Sequence, residues 1–377
     1  MASLDKSVAQ RYMRMALRLA SRGFGQTSPN PMVGALLVKS GRIIGRGWHH
    51  RAGEPHAEIE ALADARRRGT DIRGATLYVT LEPCCTHGRT PPCTDAIIDA
   101  GVRNVVIGGI DPNPAHSGKG LKLLKRAGVR VASGILESEA ARLNEAFNHW
   151  IVERTPFVTV KAAMTLDGKV ATSSGESKWI TGQKSRAWAM HLRQASDAVL
   201  VGVNTVIADD PALTARLNGL VRGVKVPRRI ILDSAGRTPG TAKVLLDRFA
   251  AKTTVVVTRK ATRSRVHALR RCVNVLVAPD VDGRVNLRWL IKRLGQQGVT
   301  SLLVEGGGEV NSSFLLGGLA HRVAFFYAPK VLCGRDAIKA VAGEGISRRD
   351  AIIKLQQVEY RWFDGDLFMT ACVSTKT

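Results

Sequence analysis

The stretch LEPCCTHGRTPPC, from Leu81 to Cys93, and the shorter GEPHAE, from Gly53 to Glu58, carry the most chemical information in this chain of 377 residues. Together they supply one histidine, closely spaced cysteines and a nearby glutamate. Neutral imidazole and thiolate are zinc ligands, and a catalytic zinc keeps a fourth position for water. The two segments therefore predict a metal site whose ligands are His56, Cys84 and Cys93.

The order of these residues also indicates a reaction. Zinc deaminases combine H-x-E with a later P-C-x-x-C, and their glutamate moves protons without binding the metal. His56 and Glu58 match the first part, and Pro83 and Cys84 open the second. Glu58 is therefore predicted as the catalytic residue. Because residues two apart do not share a face of a helix, the two side chains converge only at a helix entrance, which Pro55 favours.

The second half of the motif departs from the common spacing. His87 stands where C-x-x-C would place its second cysteine, and the next candidate is Cys93, nine positions after Cys84. Cys85 adjoins Cys84, and we expect it to be a packed thiol because neighbouring side chains usually diverge. One alternative is a structural zinc with four protein ligands, the fourth being Cys85 or His87. A second alternative is a set of ordinary buried cysteines.

The composition excludes several classes of protein. No run of apolar residues approaches the eighteen that a membrane span needs, so we expect no membrane association. Six cysteines in so long a chain do not form a disulfide scaffold, and with a thiolate zinc site they indicate a cytoplasmic location. The net charge of +25 comes from scattered Lys and Arg without a basic tail. It favours attraction of phosphorylated metabolites over specific recognition of nucleic acid.

The pattern along the first part predicts alternating strands and helices in a mixed sheet with helices on both faces. A hairpin is expected around Ser40–Gly41. A helix is expected to end near Gly69. The predicted strands cover residues 33–38, 42–48, 75–82, 102–110 and 129–135, and the predicted helices cover residues 56–68, 94–100, 120–127 and 137–153.

A domain boundary is predicted near residue 150, where a helix leads to Thr155–Pro156 and the proline disfavours helix in the residue before it. The predicted domains are therefore residues 1–150 and 151–377. Beyond the boundary the alternation restarts and ends in a hairpin around Asp364–Gly365. Strands are predicted at residues 157–163, 198–203, 229–233, 253–258, 273–277, 301–305 and 322–328, and helices at residues 183–194 and 287–294.

Several motifs together resemble the bifunctional riboflavin-biosynthesis deaminase/reductase family, in the order which that family uses. They are PNPMVG (Pro29–Gly34), GEPHAE, TLEPCCTHGRTPPC, DPNP (Asp111–Pro114), KAAMTLDGK (Lys161–Lys169), SGESKWIT (Ser174–Thr181), ADDPALTAR (Ala208–Arg216) and VEGGG (Val304–Gly308). The resemblance implies a cytidine-deaminase-like three-layer α/β/α domain followed by a dihydrofolate-reductase-like α/β domain. It also implies a zinc-dependent deaminase in residues 1–150 and an NADPH-dependent reductase in residues 151–377.

The resemblance assigns further roles in the first domain. Asn30, His49 and Arg89 are similar to positions that bind the substrate. The family commonly has a Ser-His pair after the first cysteine, whereas this chain has Cys85 and Thr86 there, with His87 one place later. A local shift that lets His87 replace the missing histidine is the alternative that the sequence indicates.

In the second domain the VEGGG segment is the expected site of the NADPH diphosphate, because glycines let backbone N–H groups approach phosphate at the start of a helix. Taken alone, this segment is equally typical of a tight strand-to-helix turn. Arg193 and Arg216 are expected to clamp the substrate phosphate, because guanidinium binds phosphate with two donors. The resemblance implies NADPH contacts at Ala163, Trp179, Thr205, Asp209, Ser234 and Gly307, and substrate contacts at Lys161, Ser177, Arg193, Leu213, Arg216 and Glu305.

The implied activity is two consecutive steps of riboflavin synthesis on a phosphorylated ribosylaminopyrimidine, namely hydrolytic deamination and reduction of the ribosyl chain. The family also tends to form homo-oligomers. Two other functions are compatible with parts of the sequence. One is a nucleoside, nucleotide or tRNA deaminase with an unrelated appended domain, and the other is a zinc-stabilised nucleic-acid-binding protein with a closed metal site.

Overall fold

The computed structural model describes residues 5–86, 91–216 and 225–374. The chain divides into two compact units, Met1–Arg154 and Thr155–Thr377. In the first unit the strands are β1 (Gly34–Lys39), β2 (Arg42–Trp48), β3 (Thr76–Leu81), β4 (Asn104–Gly109) and β5 (Arg130–Ala132). Its helices are α1 (Lys6–Ala20), α2 (Ala57–Arg67), α3 (Cys93–Asp99), α4 (Lys119–Arg126), α5 (Glu137–Leu143) and α6 (Glu145–Glu153), with a 3₁₀ turn at Ser21–Gly23.

The five strands form one mixed sheet between two layers of helix, in the order β2-β1-β3-β4-β5. β1 is antiparallel to β2 and β3, whereas β3, β4 and β5 are parallel. Helix α1 buries Met13 and Ala16 against Leu36 and Tyr78 on one face. Helices α2, α3 and α4 cover the other face, where the buried side chains include Leu62, Ile97, Leu124, Leu37 and Leu77.

Asn144 divides what the sequence predicts as a single helix over residues 137–153. Its backbone leaves the helical region, with φ −115° and ψ 23°, between α5 and α6. The side chain accepts the N–H of Met32 at 2.7 Å and donates to the Met32 carbonyl at 2.9 Å. The Asn144 side chain therefore pairs with the backbone N–H and carbonyl groups of a distant loop. The same pair of bonds fixes the loop that contains Asn30.

The second unit contains strands β6 (Phe157–Thr165), β7 (Lys169–Ala171), β8 (Ala198–Gly202), β9 (Arg228–Leu232), β10 (Thr253–Val257), β11 (Asn274–Val277), β12 (Asp280–Val281), β13 (Arg284–Val285), β14 (Ser301–Val304), β15 (Arg322–Ala328), β16 (Ile338–Lys339), β17 (Leu355–Phe363) and β18 (Asp366–Val373). Its helices are α7 (Gln183–Ala195), α8 (Val203–Asp209), α9 (Lys243–Leu246), α10 (Arg263–Arg270), α11 (Leu287–Gln296) and α12 (Gly308–Leu316), with 3₁₀ turns at Ala250–Lys252 and Arg349–Ala351.

Nine of these strands form a single sheet in the order β11-β10-β9-β8-β14-β6-β15-β18-β17. The first seven strands in this order, β11, β10, β9, β8, β14, β6 and β15, run parallel to one another. The β17–β18 hairpin adds two antiparallel strands at one edge. In such sheets ligands bind beyond the carboxyl ends of the parallel strands. The segments that follow β8, β9 and β14 are therefore placed to form a site.

The expected fold class, a three-layer α/β/α domain followed by a second α/β domain, is confirmed. The sequence pattern did not predict α8, α9 and α10. These helices are short, at seven, four and eight residues, and such lengths carry little periodic signal. Among the described residues, no helix has both the length and the apolar composition that a membrane crossing requires.

Candidate active sites

The first site is built where three segments of the first unit meet. His56 is the residue before α2, with an extended backbone at φ −74° and ψ 163°. Cys84 follows the end of β3, and Cys93 is the first residue of α3 after Pro92. The sequence places His56 and Glu58 at a helix entrance, and the structure has them there. Two helix N-termini and one strand end thus direct their side chains to one point.

The geometry of this cluster fits a zinc ion. His56 Nδ1 lies 3.3 Å from Cys93 Sγ and 3.5 Å from Cys84 Sγ. A tetrahedral zinc, with bonds of about 2.3 Å to sulfur and about 2.0 Å to nitrogen, separates these ligand types by about 3.5 Å. The three ligand atoms all lie within 4.8 Å of one another. The three ligand atoms therefore already have the identity and the spacing that a zinc ion requires.

Glu58 lies beside the cluster in the first turn of α2 and is 3% exposed. Burial raises the pKa of its carboxyl to about 7, although the His56 charge opposes the rise. Of the two thiols, Cys84 has a pKa lowered to about 4, first by a hydrogen bond with Cys93. The same hydrogen bond raises the pKa of Cys93, so the pair shares one proton. Zinc binding would deprotonate both thiols and release this proton.

Cys85 does not join the three ligand groups. Its Sγ lies 3.8 Å from His116 Nδ1, on the segment between β4 and α4. Among the described residues, the cluster that can hold an ion contains one imidazole and two thiols. A site with three protein ligands is typical of catalytic zinc. His87 and Arg89 lie outside the described residues.

The structure brings two predicted substrate residues, Asn30 and His49, together beside the metal cluster. His49 Nδ1 donates to the Pro55 carbonyl at 3.0 Å, so Nε2 accepts from Asn30 Nδ2 at 3.1 Å. The His49 and His56 rings meet edge to face at 5.4 Å. Burial lowers the pKa of His49, which keeps this ring neutral. The Asn30 side chain is thereby oriented by an uncharged imidazole.

The second site is a cleft at the carboxyl ends of the strands in the second unit. Two adjoining cavities of about 620 and 400 Å³ form it and share the lining residues Asn204, Thr205, Gly307 and Ile338. Ser234 lines the larger cavity, which Arg237 and Arg284 also border. The smaller cavity is lined by Ala163, Trp179, Thr205, Asp209 and Gly307 among the predicted cofactor residues, and by Lys161, Ser177 and Glu305 among the predicted substrate residues.

The glycines of VEGGG fit the approach of a dinucleotide. Gly307 precedes α12, and a Cβ there would meet only Thr205 Oγ1, at 3.9 Å, so its backbone faces open space. A Cβ on Gly308 would lie 2.4 Å from the Lys339 carbonyl oxygen, and one on Gly306 would lie 2.5 Å from the Val310 side chain. The glycines thus permit both close packing of the turn and access to N–H groups at a helix start.

A buried charged cluster forms one wall of the smaller cavity. Arg193 donates from Nε and Nη2 to the two carboxylate oxygens of Glu305, at 2.8 and 2.9 Å, and from Nη1 to the Thr214 carbonyl. Lys161 Nζ lies 3.8 Å from Glu305 Oε2. Burial alone would raise the pKa of Glu305, but the Arg193 and Lys161 charges hold it at about 2. Burial lowers the pKa of Lys161.

Three predicted substrate residues lie outside the described cavity walls. Arg193 lies behind Glu305 with all three nitrogens donating to protein oxygens, and its side chain is 12% exposed. Leu213, at φ +50°, packs into a hydrophobic cluster with Val199 and Ile231. Arg216 is exposed at the end of the same segment. The sequence did not indicate that Arg193 would be occupied by a carboxylate, because its partner is 112 residues away.

Sequence reasoning also missed residues that hold these sites. Arg237 and Arg284 border the larger cavity but look like ordinary surface arginines in the sequence. Glu82 is buried and binds three backbone N–H groups of residues 111–120. The one available signal was an acidic residue at the end of an apolar strand.

Comparisons with known proteins agree with this two-site arrangement. The sequence model of the family described as cytidine and deoxycytidylate deaminase zinc-binding region matches residues 6–109, and that of the RibD C-terminal domain matches residues 156–369. The riboflavin biosynthesis protein RibD of Aquifex aeolicus is 46% identical over 93% of this chain and 92% of its own length. That of Actinobacillus pleuropneumoniae is 44% identical over 92% and 90%.

Solved structures give the same result. RibD of Acinetobacter baumannii superposes with a TM-score of 0.87 and 37% identity, covering 98% of this chain and all of the other. A deaminase/reductase from Thermotoga maritima, titled diaminohydroxyphosphoribosylaminopyrimidine deaminase/5-amino-6-(5-phosphoribosylamino)uracil reductase, gives 0.83 and 36%, with coverage of 98% and 99%. With a zinc deaminase unit and an NADPH-dependent reductase unit in one chain, this protein belongs to the RibD family of bifunctional riboflavin-biosynthesis enzymes.

Proposed function

We propose that this enzyme hydrolyses the 2-amino group of 2,5-diamino-6-ribosylamino-4(3H)-pyrimidinone 5′-phosphate and then reduces the ribosyl chain of the product to ribityl. The deaminase domain is assigned to residues 1–150 and the reductase domain to residues 151–377. The observation that carries the proposal is the convergence of His56, Cys84 and Cys93 beside a buried Glu58. The Thermotoga maritima relative, whose title names these two activities, supports it.

In the deaminase site His56, Cys84 and Cys93 would hold the zinc ion, which supplies a Lewis acid that makes water nucleophilic at neutral pH. Glu58 takes the proton released from that water and returns it to the departing nitrogen, so that ammonia leaves. The first turn of α2 holds the buried Glu58 carboxyl beside the ligand groups, which is the position that a group passing a proton between water and the leaving nitrogen needs. Asn30, oriented by His49, binds the pyrimidine ring.

In the reductase site NADPH would be held by Ala163, Trp179, Thr205, Asp209, Ser234 and Gly307, and it supplies the hydride. When the glycosylamine nitrogen expels the ring oxygen O4′, O4′ takes up one proton and C1′ becomes an iminium carbon, which the hydride of bound NADPH would reduce to the neutral amine. Lys161 supplies the proton, since a buried ammonium with a lowered pKa is an effective acid. Glu305 stays ionised and holds Lys161 in place. Arg193 orients Glu305, the exposed Arg216 binds the phosphate, and Ser177 lies along the substrate path, while the buried Leu213 supports the segment that leads to Arg216.

Two assays on one protein test these roles. The purified enzyme with zinc, NADPH and the diaminopyrimidine phosphate should release ammonia and consume NADPH. Glu58→Gln should abolish ammonia release while reduction of supplied deaminated intermediate continues. Lys161→Gln should abolish that reduction while ammonia release continues. Glu60→Gln, the same change two residues further along α2, is the matched control and should retain both activities. If both activities survive Glu58→Gln, the role given to Glu58 is wrong.

We also propose that the enzyme works in the cytoplasm and forms a homo-oligomer through its reductase unit. A metal site with two thiolates suits a reducing compartment. The edge strand β17 exposes Tyr360 and Trp362, which are 62% and 70% accessible in the single chain. Light scattering of the wild type and of Trp362→Lys would show whether this edge joins two copies. A monomeric wild type would rule the assembly out.

A further inference from the structure

His116 lies against the two residues that follow the predicted zinc ligand Cys84. Its Nδ1 is 3.8 Å from Cys85 Sγ, and its Nε2 is 3.5 Å from Thr86 Oγ1. Thr86 is exposed and His116 is half-buried, so the imidazole belongs to a partly open surface, here called the rim, beside the segment that carries Cys84. The ring therefore lies beside position 86, where the family pattern has a histidine and this chain has threonine.

The segment that carries His116 is fixed to the end of strand β3. The buried carboxylate of Glu82 accepts N–H groups from Asp111, Gly118 and Gly120 at 3.2, 2.8 and 2.9 Å. Within the segment, His116 N donates to the Asn113 carbonyl at 2.9 Å. Because Glu82 lies two residues before Cys84, the same strand end sets the positions of the metal ligand and of the histidine.

Charged groups of both signs lie around His116, and the Asp111 carboxylate is close enough to interact electrostatically with its ring. Lys119, at the start of α4, and Glu82 both act electrostatically on the Cys85 thiol, so an ammonium lies near the residue that His116 also contacts. The carboxylates of Glu82 and Asp111 already accept backbone N–H groups of residues 111–120, whereas the ammonium and the imidazole are the donors that an anion can reach. An imidazole N–H from His116 and the Lys119 ammonium thus lie beside Cys85 and Thr86, the two residues that follow Cys84.

We propose that His116 binds the 5′-phosphate of the deaminase substrate, with Lys119 supplying further positive charge. This inference rests on the proposed deaminase function and names the residue that makes that step specific for a phosphorylated substrate. The histidine contact that the family pattern places at position 86 is supplied in this chain from the segment between β4 and α4. His116 is accordingly a substrate-binding residue with no role in metal binding.

The test compares the phosphorylated substrate with its dephosphorylated counterpart. In zinc-loaded full-length His116→Ala we expect KM for the phosphorylated substrate to rise about ten-fold or more, equivalent to about 1.4 kcal/mol, with kcat little changed. The KM for the dephosphorylated compound and the zinc content should equal those of the wild type. Inorganic phosphate should also inhibit the variant less strongly than the wild type. His267→Ala, an exposed histidine on α10, is the matched control.

A rescue makes the assignment specific. Thr86→His in the His116→Ala background should restore most of the affinity for the phosphorylated substrate, because it returns an imidazole to the same rim. An unchanged KM in His116→Ala, an equal loss with both substrates, or a loss of zinc would overturn the proposal. If the wild type releases no ammonia from either compound, the proposed deaminase function fails and the inference fails with it.

Discussion

Replacement of Glu305 by glutamine tests the buried charge cluster of the reductase unit. The carboxylate is 8% exposed and lies between Arg193 and Lys161. Its pKa of about 2, against an ordinary value of 4.5, means that the folded protein strongly prefers the ionised form. At about 1.4 kcal/mol for each ten-fold change in proton affinity, the difference corresponds to about 3 kcal/mol of folding free energy. The loss of one member of a buried ion pair typically lowers the free energy of unfolding by about 3–5 kcal/mol, which agrees with the value obtained from the pKa of Glu305.

Hydrogen exchange of the full-length protein, followed by mass spectrometry, measures this loss of stability in individual segments. The slowest amides of β6 and β14 should exchange with an opening free energy about 3 kcal/mol lower in Glu305→Gln. The amides of β3 and β4 in the first unit serve as the internal reference. Glu309→Gln is the matched control, since its ion pair with Arg284 is exposed and surface pairs contribute about 0–1 kcal/mol.

The pH dependence gives the sign of the effect. Because the folded pKa of Glu305 lies below its unfolded value, its contribution is complete above about pH 4.5 and is lost as the pH falls toward 2. The gap between the wild type and Glu305→Gln should therefore be constant near neutrality and narrow on acidification below pH 4.5. A variant as stable as the Glu309→Gln control, or a gap that widens in acid, would refute the reasoning.

Three further outcomes are expected. Cys93→Ser should lose bound zinc in elemental analysis while Cys85→Ser retains it; equal zinc contents would show that the third ligand is misassigned. Gly120→Ala should lower the free energy of unfolding of the deaminase unit by about 1–3 kcal/mol, because its Cβ would lie 2.4 Å from a backbone carbonyl oxygen, whereas Gly240→Ala has open space and should have little effect. Arg229→Met should destabilise the reductase unit by about 1–3 kcal/mol in denaturant unfolding, because it removes the donors that the fully buried Arg229 supplies to Asp247 and to the Ala212 and Val244 carbonyls. Arg228→Met, at the adjacent exposed arginine, is the control for that experiment.

Much of the metal cluster was accessible from the sequence because its signals are local. Pro55 before His56 indicates a helix entrance, and the entrance is what allows His56 and Glu58 to converge. Gly69 follows the end of α2 with φ +63°, as expected of a helix stop. Each of these signals depends on backbone preferences within a few residues, so no knowledge of distant contacts was needed.

The order of the residues is enough to predict the alternation of strands and helices, a division into two domains and the residue types available for metal and cofactor chemistry. Tertiary structure alone decided that Asn144 breaks a helix to hold the Met32 loop, that Arg193 is engaged by Glu305, and that His116 reaches the rim beside Thr86. These contacts join residues 30 to 112 positions apart. Their partners are chosen by how packed elements bring loops together, and no pattern of neighbouring residues encodes that choice.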